Sequence, residues 1–259
     1  YQYDGWRRLT RTTHPDNSYV QKQYDDVLYT TTTIDENGNT MREVYDKVGR
    51  LLRTEEVKPT ETVILSTNTY DNIGNLASVT DARGNTTSYG YDVLGRLISV
   101  TDPENRTTQY TYSMANNLIQ IRYPDNRTTT KVYDEIGRLI QQTNPDGQVE
   151  KFKYDANNNL VQFVNRKGGV ITYSYNNRNF LTSSSTPGET VTYTYDAGGK
   201  RLSMTDATGT TQYSYYNDTA RLKDITFPDG TTVVYDYDVQ SLESQYVLGD
   251  SREEYAYDA

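Results

Sequence analysis

The chain has 259 residues, of which 26 are Lys or Arg and 35 Asp or Glu, giving a net charge of −9, with only 34% hydrophobic residues and 26 tyrosines. An acidic chain without basic blocks is a poor nucleic-acid binder, no apolar run is long enough to span a membrane, no signal peptide is present in the sequence, and the lack of cysteine removes disulfides, thiol catalysis and cysteine-zinc sites together. Disorder is excluded as well, because disordered chains are poor in aromatic and β-branched residues and this one is rich in Tyr, Thr, Val and Ile.

Anchor tyrosines fall at Tyr3, Tyr24, Tyr45, Tyr70, Tyr91, Tyr112, Tyr133, Tyr154, Tyr175, Tyr195, Tyr216, Tyr237 and Tyr257, mostly 21 residues apart. A unit of that size cannot bury a core alone and must stack on its neighbours. Residues 1–259 are therefore expected to form one tandem array. The one long gap, 25 residues from Tyr45 to Tyr70, puts extra residues near 55–60, where a lengthened loop is expected. Both termini keep register and there is no initiator Met, which fits a segment of a longer array.

Taken in chain order, each unit repeats the same elements. A Tyr-Asp pair and two variable residues lead to Gly or Asn, at Gly49, Gly74, Gly95, Asn116, Gly137, Asn158, Asn179 and Gly199; these types accept positive φ and mark a tight turn. A leucine-led run follows, as in Leu97-Ile98-Ser99-Val100, Leu118-Ile119-Gln120-Ile121, Leu139-Ile140-Gln141-Gln142 and Leu160-Val161-Gln162-Phe163, and its alternation predicts a strand. Ile98 and Val100 are expected on one face, with the leucine on the other beside Ser99. Residues 81–84, 144–147, 207–209 and 228–230 predict a second turn. Thr-rich sequence closing on Tyr-x-Tyr, such as Tyr89 with Tyr91, Tyr110 with Tyr112 and Tyr173 with Tyr175, predicts a second strand with both rings on one face.

Each unit is thus a β-hairpin of about 21 residues. The fold class is all-β: one long antiparallel sheet of tandem hairpins. Neither face is apolar enough for a sandwich, which predicts a single layer, and the fixed hand of strand twist predicts that it curves. Tyrosine and leucine rows are expected as cross-strand ladders.

The phrase Tyr-Asp-x-x-Gly-Arg-Leu is spelled at Tyr45-Asp46-Lys47-Val48-Gly49-Arg50-Leu51, at Tyr91-Asp92-Val93-Leu94-Gly95-Arg96-Leu97 and at Tyr133-Asp134-Glu135-Ile136-Gly137-Arg138-Leu139. Followed by Thr-Asp-Pro or Asn-Pro-Asp-Gly and closed by Thr-x-Tyr-x-Tyr-Asp, it resembles the YD repeat of Rhs proteins, of the C components of Tc toxin complexes, of bacterial wall-associated proteins and of teneurins. The resemblance covers the whole chain. It implies a sheet wound as a spiral into a hollow shell, which in the bacterial members holds an unfolded or inactive C-terminal toxin and in teneurins is part of a cell-adhesion receptor. Several units depart from the pattern: Asp26-Val27-Leu28-Tyr29 replaces Gly-Arg-Leu, Ser113 and Asn176 replace the motif Asp, Arg201 replaces a Leu, and Ser241-Leu242-Glu243 blurs the last full unit. Irregular strands are expected there. The self-cleavage aspartate motif and toxin that the resemblance places after the repeats are not among these residues, and the one Asp-Pro, Asp102-Pro103, lies in a repeat turn.

His14 is the only histidine, so a multi-histidine metal site or a His-His dyad is excluded and a loop histidine is expected. No Gly-x-Ser-x-Gly elbow accompanies the serines. The motif Asp recurs at equivalent places, as a turn acceptor would. Asp35-Glu36-Asn37-Gly38-Asn39 has calcium-type oxygens but lacks the twelve-residue loop ending in Glu, so a plain Asn-Gly turn is expected. Arg50, Arg96 and Arg138 are expected to pair with aspartates of neighbouring hairpins such as Asp71 or Asp92, setting register more than stability. Tyrosine rows and Trp6 suit glycans or extended peptides, yet the same rings let a thin sheet bury area while satisfying water. The Asn-x-Thr triplets at Asn85, Asn105, Asn126 and Asn217 sit where turns favour Asn.

The sequence therefore predicts a non-enzymatic structural array, with no catalytic residue, metal or cofactor. Its repeat anchors are Tyr45, Asp46, Gly49, Arg50 and Leu51; Tyr70, Asp71 and Gly74; Tyr91, Asp92, Gly95, Arg96 and Leu97; Tyr112; Tyr133, Asp134, Gly137, Arg138 and Leu139; Tyr154 and Asp155; and Tyr195 and Asp196. By resemblance it is part of a β-shell that encapsulates or presents a C-terminal toxin or other cargo polypeptide, secreted or at a bacterial surface, with that cargo and flanking repeats as partners. The alternative is an adhesion or carbohydrate- and peptide-binding module, distinguished by whether Tyr89, Tyr110 and Tyr173 are packed or form an exposed patch.

Overall fold

The computed structural model describes residues 1–217, 220–237, 242–247 and 252–254, the last two segments as strand backbone; Asp238, Ser241 and the anchor Tyr257 lie outside the described residues. The chain divides into two units, Tyr1–Thr129 and Thr130–Ala259. In the first, every strand from Gln2–Tyr3 to Leu118–Arg122 is hydrogen-bonded antiparallel to the next in sequence. In the second the same holds from Thr130 to Arg252–Glu254. No helix occurs among the described residues, and strands contact only their sequence neighbours. Each unit is a meander of hairpins one layer thick.

That thinness sets the energetics. No hydrophobic side chain among the described residues is fully buried. A half-covered Leu, Val or Tyr contributes on the order of 1 kcal/mol, below the 1.5–3 kcal/mol of full burial, so backbone ladders and turns carry a large share of the fold. Cross-strand pairs add locally: Phe152 stacks on its register partner Phe163 at 5.2 Å, and threonine hydroxyls bond across the strands that flank second turns, as in Thr80 with Thr86 at 2.8 Å and Thr101 with Thr107 at 2.9 Å.

One feature recurs without a sequence signature. Leu97 lies opposite Tyr91 and Ser99 opposite Gly90, so Ile98 is an extra residue, a β-bulge. Leu52, Ala77, Ile119, Ile140 and Val161 occupy the same place in their hairpins. The bulge breaks the alternation expected for this strand. Because Tyr89 and Tyr91 share a face, their partners Val100 and Leu97 share it too, whereas leucine was expected on the opposite face from Val100. The displaced Ile98 is exposed.

Two further expectations change. The residues inserted between Tyr45 and Tyr70 lengthen strands and not a loop: Leu51–Val57 and Thr62–Tyr70 have 7 and 9 residues, against 5 and 6 in Leu97–Thr101 and Thr107–Tyr112. Their turn is short, with the Lys58 N–H donating to the Glu61 carbonyl at 2.9 Å. The anchor assigned to Tyr216 is Tyr215, which faces Leu222 at its strand end as Tyr91 faces Leu97. Tyr216 starts a turn one residue longer than the others, donating from its N–H to the Arg221 carbonyl at 2.9 Å.

The lengthened hairpin contains Glu55, 3% exposed, which accepts from Arg42 Nε at 2.6 Å and Arg53 Nε at 2.5 Å. Burial pushes its carboxyl up, but the hydrogen bonds from Arg53 and Arg42 outweigh it and hold it below the usual glutamate range. A depressed folded-state pKa stabilises above the unfolded value, and that stability is lost as pH falls through the folded value. Glu55→Gln is expected to cost about 2 kcal/mol at neutral pH, read from urea midpoints, and the gap to the parent should close in acid.

Candidate functional site

The repeated Tyr-Asp turns gather most of the sequence-predicted site residues, and each turn is built from its aspartate. The N–H of Asp92 donates to the Arg96 carbonyl at 3.0 Å and that of Gly95 to the Asp92 carbonyl at 2.9 Å. Asp92 Oδ1 then accepts the N–H groups of Leu94 and Arg96 at 2.9 and 3.0 Å, and Oδ2 accepts Arg96 Nε at 2.7 Å. One short carboxylate thus satisfies donors at two and four residues along, a local bonding mode that Asp and Asn favour. Gly95 completes the turn at φ 76°, where a Cβ is strained. Asp46 and Asp134 bind Arg50 and Arg138 in the same way, with Oδ2 to Nε at 2.6 and 2.7 Å, and Asp71 and Asp155 bind Asn75 and Asn159. Hydrogen bonding from Arg96, opposed by a smaller effect of burial, holds the Asp92 carboxyl below its ordinary range; for Asp46 and Asp134 the backbone N–H of the arginine leads.

The arginines pair within their own turn, not with aspartates of the next hairpin as expected, because the turn itself brings residues four apart together. Their remaining donors do reach the next hairpin. Arg96 Nη1 donates to the Ser113 carbonyl at 3.3 Å and Asn116 Oδ1 at 3.2 Å, and Arg138 Nη1 to the Asp155 carbonyl and Asn158 Oδ1, both at 2.9 Å. Arg8 also meets a neighbouring-turn carboxylate, Asp26 at 2.7 Å. The guanidiniums of Arg50, Arg96 and Arg138 lie over the rings of Tyr70, Tyr112 and Tyr154 at 4.7, 4.8 and 4.9 Å.

Those tyrosines close the clamp. Tyr70, Tyr112 and Tyr154 donate from their hydroxyls to the carbonyls of Leu51, Leu97 and Leu139, which open the strand paired with their own, at 2.9, 2.9 and 3.0 Å. Tyr175 and Tyr195 do the same to Leu160 and Leu181 at 3.0 and 2.8 Å. Burial pushes the Tyr175 phenol above its ordinary value, so it stays a donor. Variant repeats keep the geometry by other means. Asn176 accepts from Arg178 and Phe180 N–H groups at 2.9 and 3.0 Å, and Phe180 lies against Tyr195 at 5.2 Å where other turns use arginine. The Arg201 carbonyl receives Tyr215 as a leucine carbonyl would, at 2.9 Å.

The same five-residue device closes the opposite edge of the hairpins, where the sequence predicts only a second turn. Asp81 accepts from Arg83 and Asn85, and Asp102 from Glu104 and Arg106. The signal was present: Asp followed four residues later by Arg or Asn, as in Asp92 and Arg96. Asp35 likewise spends its carboxylate on Asn37 and Asn39 N–H groups at 2.9 and 2.8 Å and on Asn39 Nδ2 at 2.7 Å, which is the Asn-Gly turn. His14 lies 3.2 Å from Glu36, and no group of three or more metal-ligating residues occurs among the described residues. A cleft of about 280 Å³ beside Tyr24, Tyr29 and Tyr45 contains Arg8, already bound to Asp4 and Asp26. Tyr89, Tyr110 and Tyr173 are half-buried, opposite Val100, Ile121 and Ser184.

The arrangement fastens hairpin to hairpin, and the ionisable groups of its turns face one another. Tyr112→Phe should cost about 1 kcal/mol, the net value of one neutral hydrogen bond. Asp92→Asn should cost less than Asp92→Ala, because an amide oxygen keeps the Oδ1 bonds, as Asn176 does. Chemical denaturation of the three variants checks both the size and the order.

No curated protein sequence matches the chain. Solved structures similar to it include the crystal structure of TcdB2-TccC3, at 16% identity over 95% of this chain and 18% of that one with a TM-score of 0.43, and the Tc holotoxin pore of Photorhabdus luminescens, at 17% identity over 95% of this chain and 17% of that one with a TM-score of 0.39. The chain therefore spans less than a fifth of the length of either. The family model described as the teneurin YD-shell matches residues 10–246, a span that takes in the turns from Asp25 to the hairpin ending at Tyr237, and the chain belongs to this family of YD-repeat shells.

Proposed function

We propose that the chain is a stretch of shell wall, with residues 1–259 forming one tandem array whose Tyr, Asp, Gly, Arg and Leu anchors act as fasteners and not as ligands or catalysts. The wall encloses or presents a cargo polypeptide, such as a C-terminal toxin, in a secreted or cell-surface protein. Its work is physical exclusion: hydrogen-bonded strands separate the cargo from solvent and proteases, and faces that are only partly apolar, on a chain of net charge −9, hold it without giving it a core to fold on. The observation that carries this reading is the clamp of Arg96, Tyr112 and Leu97, with Arg96 also reaching the next turn at Ser113 and Asn116, which commits the motif residues to one another. The half-burial of Tyr89, Tyr110 and Tyr173 favours a wall over a surface that presents rings to a glycan.

Limited proteolysis of the full-length gene product tests it, with the parent compared against a Gly95→Val/Gly137→Val variant. Valine at these positive-φ positions, 76° and 85°, should open the turns at a cost of about 1–3 kcal/mol each. A segment held behind the wall should resist protease in the parent and be cut in the variant. Equal digestion in both sinks the reading.

A further inference from the structure

The apolar residues that the fold leaves bare are not scattered. Apart from Tyr1, every large hydrophobic residue at 67% exposure or more among the described residues lies in a Tyr-Asp turn. In the first unit each of six consecutive turns supplies one: Trp6, Val27, Val48, Ile73, Leu94 and Met114, at 72% to 108% exposure. Five stand two residues after the turn aspartate, or Asp25 in the second turn, and donate their N–H to its Oδ1 at 2.9–3.0 Å. Their backbone is therefore fixed before any partner arrives, which removes part of the ordering cost of association. Successive Tyr-Asp turns are two strands apart, so these knobs recur about every 10 Å along one edge, over roughly 50 Å in all. In the second unit Ile136 keeps the pattern, and the equivalent places then hold Asn157, Arg178 and Gly198.

We propose that this row is an interface with a second copy of the chain, two rows meeting antiparallel so that the knobs of one enter the gaps of the other. A partner must offer apolar groups at the same spacing over six hairpins, and a second copy does so by construction, in the isologous manner of a two-fold dimer. The area is sufficient. With the adjoining Leu28 and Val93, the row exposes on the order of 700 Å² of apolar surface, taking roughly 100 Å² for each full aliphatic side chain and about 200 Å² for tryptophan and scaling each by its fractional exposure, near the ~800 Å² per partner of a stable interface. Charge does not oppose it as the net −9 would imply: beside the knobs, Asp4, Asp46 and Asp92 are bound by Arg8, Arg50 and Arg96 at 2.8, 2.6 and 2.6 Å.

Sedimentation equilibrium of the 259-residue chain from about 1 to 100 μM is expected to show a concentration-dependent dimer. Val48→Lys/Ile73→Lys, at the middle of the row, should weaken it by at least about tenfold. Asn157→Lys/Gly198→Lys, at the matching places of the second unit, should leave it unchanged. Both variants change solvent-facing turn positions, and unchanged far-ultraviolet circular dichroism checks that they fold; because Gly198 has no Cβ, Asn157→Lys alone serves as the control if the double variant does not. A monomer throughout the range, or association that survives Val48→Lys/Ile73→Lys and so runs through strand edges, overturns the proposal. Either outcome is independent of whether the wall encloses a cargo.

Discussion

A tyrosine hydroxyl at the end of one strand donating to the leucine carbonyl that opens the strand before it, under an arginine laid across its ring, is the contact on which the rest depends. Backbone ladders alone join strands in more than one register, and a slip of one residue exchanges the two faces of a sheet. The reach from Tyr112 to the Leu97 carbonyl, 2.9 Å, exists in one register only. Each such bond is worth about 1 kcal/mol, but it recurs at Tyr24, Tyr70, Tyr112, Tyr154, Tyr175, Tyr195 and Tyr215, so the alignment of those strand pairs is checked by a side chain as well as by the backbone. Arginine serves two turns: its Nε is held by the aspartate of its own, its plane lies on the tyrosine ring, and its Nη1 reaches the next turn at Ser113 and Asn116.

With strands touching only their sequence neighbours, stability is close to a sum of hairpin and nearest-neighbour terms. A fault in one repeat is then a local fault. That explains how Ser113, Asn176, Phe180 and Arg201 are tolerated: Asn176 still accepts two backbone N–H groups, Phe180 still covers a tyrosine ring, and Arg201 still offers its carbonyl. Among the described residues a buried charge enters at the lengthened hairpin, where Glu55 is held by two arginines from flanking strand positions.

The array, its hairpins and its turns were legible because they rest on residue types with local causes: Gly95 and Asn116 for positive φ, Leu97 for the start of a strand, Tyr110 with Tyr112 for one face. The bulge was not, because the aliphatic residues at that place, such as Ile98, Ala77 and Ile119, read equally as ordinary strand positions; it shows only when the register is fixed from both ends of the strand. The partner of Arg96 was misplaced because an exposed ion pair was weighed between hairpins, when the turn folds Asp92 back on it first. Tyr215 and Tyr216 are indistinguishable by letter, and turn length alone chooses between them. The bare row from Trp6 to Met114 went unseen because the two variable positions of the motif were passed over as spacers.

The absence of a fully buried hydrophobic side chain among the described residues has a bearing on how such a chain changes over time. A globular core fixes its own volume, and adding residues to it demands compensation on every side. Here there is no interior to refill. Copying or deleting one hairpin, in whole units of the repeat, changes the junctions at that point and leaves the others as they were, so size can be adjusted by duplication of a short stretch of gene.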